Sequence, residues 1–294
     1  MKNPIITNLS LLLIALIWGL GFVPQRLGME YVGAAAFNAL RFGLGAFTLL
    51  PILILSRSIN LKVLTDPDTI KLGISLGGLL FCGAIFQQLS IKFTSLANVA
   101  FITGLYVIVV PMIGFFIGYK YKLIVWFGGL IAITGLYLMT GSNGNVALKG
   151  DLLALIGAIF WAVHLLVLAK KAANHNQLVL AFYQFLFCAI LSAIVSIGFE
   201  DRLLPEVVEG YIWPVLNGVI VVGFAYTLQV VVMEYAEPFS ASLILSLEAV
   251  FGALAGYYVF SEQLANAALV GAAMMLLGCV LAQLPGSQAN NNLN

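Results

Sequence analysis

The chain has 294 residues, 62% hydrophobic and 9% charged, whereas soluble domains carry about 45–50% and about 25%. A formal net charge of +1 provides no electrostatic footprint for nucleic acid. Three cysteines (Cys82, Cys188, Cys279) sit in apolar runs and read as small core residues. With only two histidines (His164, His175) besides, no metal site and no cofactor is predicted.

A bilayer-spanning helix needs roughly 20 mostly apolar residues. Residues 3–25, 93–119, 123–148, 172–199, 210–233 and 263–294 each contain no Asp, Glu, Lys or Arg. The first run is too long for a signal-peptide core and lacks a small-x-small cleavage site, so it reads as a retained helix. The pattern predicts ten helices: 5–26, 32–56, 70–91, 95–118, 123–141, 151–171, 176–199, 211–234, 238–260 and 264–284. Thr65–Asp68 and Gly141–Asn145 are turn-forming clusters. The most charged loop runs from Glu200 to Glu209, and the polar tail Ser287–Asn294 is expected to be disordered.

Polar and aromatic side chains recur at helical spacing along these elements. Trp18, Phe22 and Gln25 share a face of the first helix, and Asn38 and Arg41 a face of the second. The third carries Gln87 and Gln88, and the fourth Tyr106. Trp161, His164 and Leu168 line up on the sixth, Gln184 and Cys188 beside Tyr183 on the seventh, and Tyr226, Gln229 and Met233 on the eighth. Glu248 lies within the ninth. Pro24, Pro111 and Pro214 are expected to interrupt their helices, and Gly73-x3-Gly77, Gly114-x3-Gly118 and Gly252-x3-Gly256 to permit close helix contact.

A step of 143 residues relates the two halves. It carries Leu9 to Leu152, Leu12 to Leu155, Ala15 to Ala158, Trp18 to Trp161, Val107 to Val250, Gly128 to Gly271 and Gly135 to Gly278. Five helices per copy is an odd number, so the second copy enters the membrane upside down. The expected architecture is an all-α integral membrane protein of ten transmembrane helices, built as two inverted five-helix repeats. The copies span 5–141 and 151–284, with a connecting loop at 142–150 and a tail at 285–294. With the N-terminus inside, eight Lys and Arg fall on the inner side and four on the outer. That bias places both termini in the cytoplasm of a multi-pass protein of the inner cell membrane.

The segments Ala236–Ser242, Leu247–Val250 and Phe260–Leu264, with Gly271, Leu40-Arg41-Phe42 and Trp18-Gly19, resemble the EamA-type repeat of the drug/metabolite transporter superfamily. The resemblance runs from about residue 7 to 284. It implies a secondary active transporter that exports small polar metabolites such as amino acids by alternating access. Two features depart from the family pattern. The first copy reads Gly118-Tyr119-Lys120 near the counterpart of Glu262, and Ala249 stands where the family often has proline after Glu248.

Arg41 and Glu248 are the formal charges placed well inside helices. A charge at the bilayer centre costs about 2.5–3.5 kcal/mol on insertion scales, so such residues usually face a cavity or a partner. In one reading Arg41 holds a carboxylate or phosphate, and Glu248 an amine or a proton. In the other they form a structural ion pair, or Arg41 snorkels to an interface. The buried amides either bind substrate or join helices at about 0.6 kcal/mol each. Trp18 and Trp161 wall a pocket or pack as core, and His164 is either a titrating group or a neutral hydrogen-bonding one. The candidate substrate-binding set is Trp18, Gln25, Asn38, Arg41, Gln87, Gln88, Tyr106, Trp161, His164, Tyr183, Gln184, Tyr226, Gln229 and Glu248. The partners expected are a small-molecule substrate and the lipid bilayer, with the fifth and tenth helices as scaffold or homodimer surface.

Three rival functions stand beside this one. An integral membrane enzyme would need convergent acid, base or metal groups, and neither an HExxH motif nor a Ser/His/Asp set occurs. A passive channel would need a filter or a subunit ring. An exporter of organic cations or drugs would use the aromatic walls.

Overall fold

The computed structural model of the chain describes residues 3–56, 59–118, 122–140, 148–262 and 266–282, and they contain no strand. The expected turn at Gly141–Asn145 and tail Ser287–Asn294 lie outside these residues, as do Arg57, Tyr119, Lys120, Gln263 and Leu264.

Several helices start where a side chain caps them, satisfying backbone donors that the first turn leaves bare. α1 (Pro4–Gly28) begins after Asn3, whose side chain accepts from the Ile5 amide, and α2 (Ala34–Leu55) follows a tight turn. A single helical turn, Leu61–Leu64, leads into α3 (Pro67–Ser90), capped by Asp66. α4 (Leu96–Gly104), capped by Ser95, continues after a break as α5 (Tyr106–Phe116), and α6 (Leu123–Thr140) ends the first half. The second half opens with α7 (Leu148–Lys171) and α8 (Gln177–Phe199). α9 (Ile212–Leu216) widens into a π-helix over Asn217–Tyr226 and resumes as α10 (Thr227–Val232). α11 (Pro238–Leu245), capped by Glu237, and α12 (Glu248–Phe260) form another broken helix, and α13 (Asn266–Ala282) closes the half.

Eight segments among the described residues are long and apolar enough to cross a membrane: Pro4–Gly28, Ala34–Leu55, Leu61–Ser90, Leu96–Phe116, Leu148–Asn174, Gln177–Phe199, Val208–Val232 and Pro238–Phe260. Two shorter apolar stretches, Trp126–Gly135 and Leu269–Gly278, lie in α6 and α13.

The breaks differ from the proline-based expectation. α1 runs through Pro24, and Pro111 lies inside α5. In the turn before Pro24, the Gly21 carbonyl accepts from Gln25 Nε2 at 3.2 Å and Asn217 Nδ2 at 3.0 Å, so side chains support that turn. The breaks lie instead at Leu105, between α4 and α5, and at Ser246-Leu247, between α11 and α12, near-equivalent places in the two copies and neither of them a proline. Both breaks are single turns tightened to i→i+3 bonds, Leu105 N to Ile102 O and Leu247 N to Ile244 O, each 3.1 Å. At the second, the Ser246 hydroxyl donates to the Leu243 carbonyl at 2.7 Å.

The principal helix contacts join one copy to the other. α6 packs on α13, α2 on α8 and the π-helix, α3 on α7 and α8, and α1 on α12. The seams are lined with glycine. A β-carbon on Gly135 would strike the Gly271 carbonyl, and one on Gly278 would strike that of Gly128. Moving both residues of either contact by 143 positions gives the other, so the repeat seen in the sequence is also a two-fold relation in space. Gly73 and Gly77 meet α8 at Tyr183 and Gln184, and Gly252 meets Ala100 and Phe22. Equivalent helices run antiparallel. Glu200, just past the end of α8, accepts from the Ala35 and Ala36 amides at the start of α2, at 2.9 and 2.8 Å.

The two ends of the bundle are designated the start face, where α1 begins, and the far face, where it ends. On the far face, Arg26 of α1 pairs with Glu262 beyond α12 at 2.8 Å and stacks 4.5 Å over Phe260. Ser261 turns the chain there with φ 54°, in the left-handed region, and the Glu262 carboxylate folds over Gly256, where a side chain would block it.

These seams make a specific demand on side-chain size. Gly135→Leu should lower stability by about 1–3 kcal/mol, the usual cost of overpacking, read as a lower unfolding temperature of the purified protein. Gly78→Ala, with nothing within 4 Å of the added carbon, should leave that temperature unchanged or higher.

Candidate functional site

The inner walls of α1, α2, α3, the two broken helices, α7 and the π-helix enclose a cavity between the copies. Its empty volume, mouth included, is about 480 Å³. α1 contributes Trp18, Phe22 and Gln25; α2 contributes Arg41; α3 contributes Gln87. Thr103, Tyr106, Leu245 and Glu248 come from the two broken helices, beside their breaks. Trp161 and Leu165 of α7, with Val221, Tyr226 and Gln229 from the π-helix and α10, complete the wall.

Three aromatic rings form its spine. The Tyr226 ring lies 4.7 Å from Trp18 and 5.8 Å from Trp161, centroid to centroid. The two-fold relation explains how Tyr226 comes to sit there. Trp161 packs on Gly83 of α3, and the equivalent pair is Trp18 on Tyr226. A glycine in one copy is a tyrosine in the other, and that tyrosine reaches both tryptophans.

The charges lie on separate walls. Arg41 is 1% exposed, so it does not snorkel to an interface. Its Nε donates to Asn38 Oδ1 at 2.8 Å and its Nη1 to Asn217 Oδ1 at 3.2 Å, with the guanidinium 4.7 Å from the centre of the Phe42 ring. Nη2 is buried without a partner. Glu248 occupies the first turn of α12, where the helix dipole favours a carboxylate. Gly19 of α1 lets that turn approach, because a side chain there would meet the Glu248 carbonyl. The Tyr106 hydroxyl lies beside the carboxyl, and Oε1 is buried without a partner. Among the described residues no ion pair joins Arg41 to Glu248 or to any other acid. The structural-ion-pair reading therefore fails.

Other lining groups are also unsatisfied. The indole Nε1 atoms of Trp18 and Trp161 and the Oε1 atoms of Gln25 and Gln229 are buried without partners. Buried polar atoms in proteins are nearly always paired, whereas here three donors and three acceptors without protein partners belong to the lining of one cavity. Among the described residues no three of His, Cys, Asp and Glu come together to hold a metal.

Nine of the fourteen residues expected from the sequence line this cavity: Trp18, Gln25, Arg41, Gln87, Tyr106, Trp161, Tyr226, Gln229 and Glu248. The other five lie outside it. Asn38 holds Arg41 from behind, and Gln88 donates to the Gln25 carbonyl at 3.1 Å. His164 and Gln184 bond each other at 3.0 Å, fully buried. Tyr183 bonds the Leu64 carbonyl toward the start face. Gln184 is the copy-equivalent of Arg41, so the second copy has a neutral pair where the first has a charge.

Sequence reasoning missed Thr103 and Asn217 and did not select Phe22, although it lies on the quoted face of α1. Asn217 was hidden by winding. At 3.6 residues per turn, positions nine apart point opposite ways, whereas the wider i→i+5 winding turns Asn217 toward the face that carries Tyr226.

Comparison with known proteins bears on the whole chain. The EamA-like transporter family matches residues 5–141 and again 148–284. An "Uncharacterized transporter" of Archaeoglobus fulgidus is 30% identical over 283 residues, 94% of this chain and 85% of that protein. The "Uncharacterized transporter YoaV" of Bacillus subtilis is 24% identical over 278 residues, 92% of this chain and 94% of that protein. One crystal structure superposes with a TM-score of 0.80 at 21% identity, covering 97% of this chain and 99% of the other, a likeness of fold. Each half of the chain is thus one copy of the same family unit, and the protein belongs to the EamA-like transporter family.

Proposed function

We propose that the protein is a secondary transporter of ten membrane crossings in two inverted repeats, and that it moves small zwitterionic metabolites such as amino acids by alternating access. The observation that carries this reading is that Arg41 and Glu248, on separate walls of one aromatic-lined cavity between the copies, are each without an ion pair among the described residues and each keep one buried atom without a partner. A single occupant with a carboxylate and an ammonium satisfies both. A purely cationic occupant would engage Glu248 and the three rings but leave the buried guanidinium uncompensated. The resemblance of the repeats implies export from the cytoplasm, with both termini inside.

Uptake of labelled amino acids into proteoliposomes tests the assignment. Arg41→Gln and Glu248→Gln should each lower uptake at least about tenfold, the loss of roughly 1.4 kcal/mol or more of charge-assisted binding, with the protein still folded and inserted. Uptake equal to wild type in both variants, or no flux of any amino acid by folded wild-type protein, refutes it.

Alternating access also requires the far face to open. The Arg26–Glu262 pair ties α1 to the end of α12 across the copies there. The two-fold equivalents are Ala169 and Tyr119, so the sequence supplies no matching ion pair at the start face. We propose that this pair biases the far face toward closure. Glu262→Gln should then speed labelling of Thr103→Cys by a membrane-impermeant thiol reagent applied at the far face severalfold, in a background without native cysteines. An unchanged labelling rate contradicts the bias.

A further inference from the structure

The groups that hold the Arg41 guanidinium are neutral. Asn38 takes one N–H and Asn217 another, both through side-chain amide oxygens, and the ring face rests on Phe42. The nearest titratable neighbours are Tyr226 and Cys188, neutral side chains at ordinary pH. Asn217 is itself fixed, because its Nδ2 donates to the Gly21 carbonyl of α1 at 3.0 Å. This holds its Oδ1 toward Arg41 and bridges three helices with one amide. Close packing supports the arrangement. A side chain on Gly218, the next residue, would collide with Leu44 and with the Arg41 backbone.

A buried guanidinium is ordinarily matched by a carboxylate, and carboxylate is the partner its fork fits best. Position 217 is where the protein would supply one, at hydrogen-bonding distance and with its second oxygen replaced by an amide nitrogen. An amide fixes the position of Arg41 without neutralising it. The charge is then left unmatched on a residue that lines the cavity, with Nη2 buried and without a partner.

We infer that Asn217 is a specificity-determining residue: it positions Arg41 while leaving its charge unmatched, so that the occupant of the cavity must bring the anion. The inference rests on the cavity being the substrate site. It makes the requirement for an anionic group a property of one amide, and it predicts that an isosteric acid removes that requirement.

The Asn217→Asp variant tests this in two independent arms. The first needs no ligand. Unfolding temperatures of purified wild type, Asn217→Asp, Arg41→Gln and the double variant form a cycle. Asn217→Asp loses the Nδ2 bond to the Gly21 carbonyl in either background, so the cycle is read as coupling. The unfolding temperature should fall clearly less, or rise, with Arg41 present than with Arg41 replaced by Gln, because only the former offers the new carboxylate a partner. If Asn217→Asp lowers it as much with Arg41 present as with Gln at that position, or fails to yield folded protein, the inference is overturned.

The second arm reads selectivity in proteoliposomes, using the proteinogenic L-amino acids, each beside the amine formed by removing its carboxyl group. Asn217→Asp should cut amino-acid uptake at least about tenfold while uptake of the matching amine is unchanged or rises. A merely structural role would depress both together, and equal depression overturns the inference. Asn217→Ser, a neutral acceptor, should keep the wild-type preference for the amino acid. Loss of that preference in the serine variant counts against the inference as well. If wild-type protein moves no amino acid, the transport reading fails, and the thermal cycle still decides whether position 217 faces an unneutralised Arg41.

Discussion

Neither copy of the repeat makes a core by itself. Within a bilayer, lipid tails are as apolar as leucine side chains, so helices gain little from hiding apolar surface and instead depend on close packing and shared hydrogen bonds. In this chain those contacts lie between the copies, α6 against α13, α2 against α8, α3 against α7 and α1 against α12. Glycine lets the backbones meet at Gly135, Gly278, Gly77 and Gly19. The bundle is two interleaved halves, and the space left along their shared axis is the cavity. A rearrangement that opens one face must slide these seams, whose glycines leave few side chains to obstruct the movement.

On this symmetric frame the chemistry is asymmetric. Trp18 and Trp161 occupy equivalent places, but Tyr226 replaces the equivalent Gly83 and inserts between them. Arg41 is charged where its equivalent, Gln184, bonds a fully buried histidine. Glu248 corresponds to Leu105, and they lie at the α11–α12 and α4–α5 breaks. Duplication supplies two positions for every residue around the axis, and differences between the copies give the cavity a positive wall, a negative wall and an aromatic spine. A symmetric cavity would hold a symmetric occupant. This one sets Arg41 and Glu248 on separate walls.

Much of this was legible in the sequence. Long uncharged runs gave the membrane class, because a helix that exposes its side chains to lipid cannot carry charge at mid-depth. The 143-residue step anticipated the reciprocal contacts of Gly128, Gly135, Gly271 and Gly278. Of the residues singled out on α-helices, Trp18, Gln25, Arg41 and Glu248 meet at one cavity, and Tyr226 joins them from the end of the π-helix. What escaped was tertiary. The break at Leu105 has no proline to announce it, whereas α1 passes through Pro24 with side-chain bonds supporting the turn. His164 and Gln184 bond each other, which no one-helix pattern reveals because they lie on α7 and α8. Asn217 required knowledge of the π-winding that turns it toward Arg41.

The central claim is that the opposite walls of one cavity hold the opposite ends of one substrate. A high-resolution structure of the protein with a transported amino acid bound tests it most directly. The account predicts the ligand beside Trp18, Tyr226 and Trp161, with its carboxylate on Arg41 Nη2 and its ammonium on Glu248 Oε1. A ligand seated elsewhere, such as the apolar cleft between α5 and α6 near Pro111 and Gly129, or one that leaves Arg41 untouched, would contradict it.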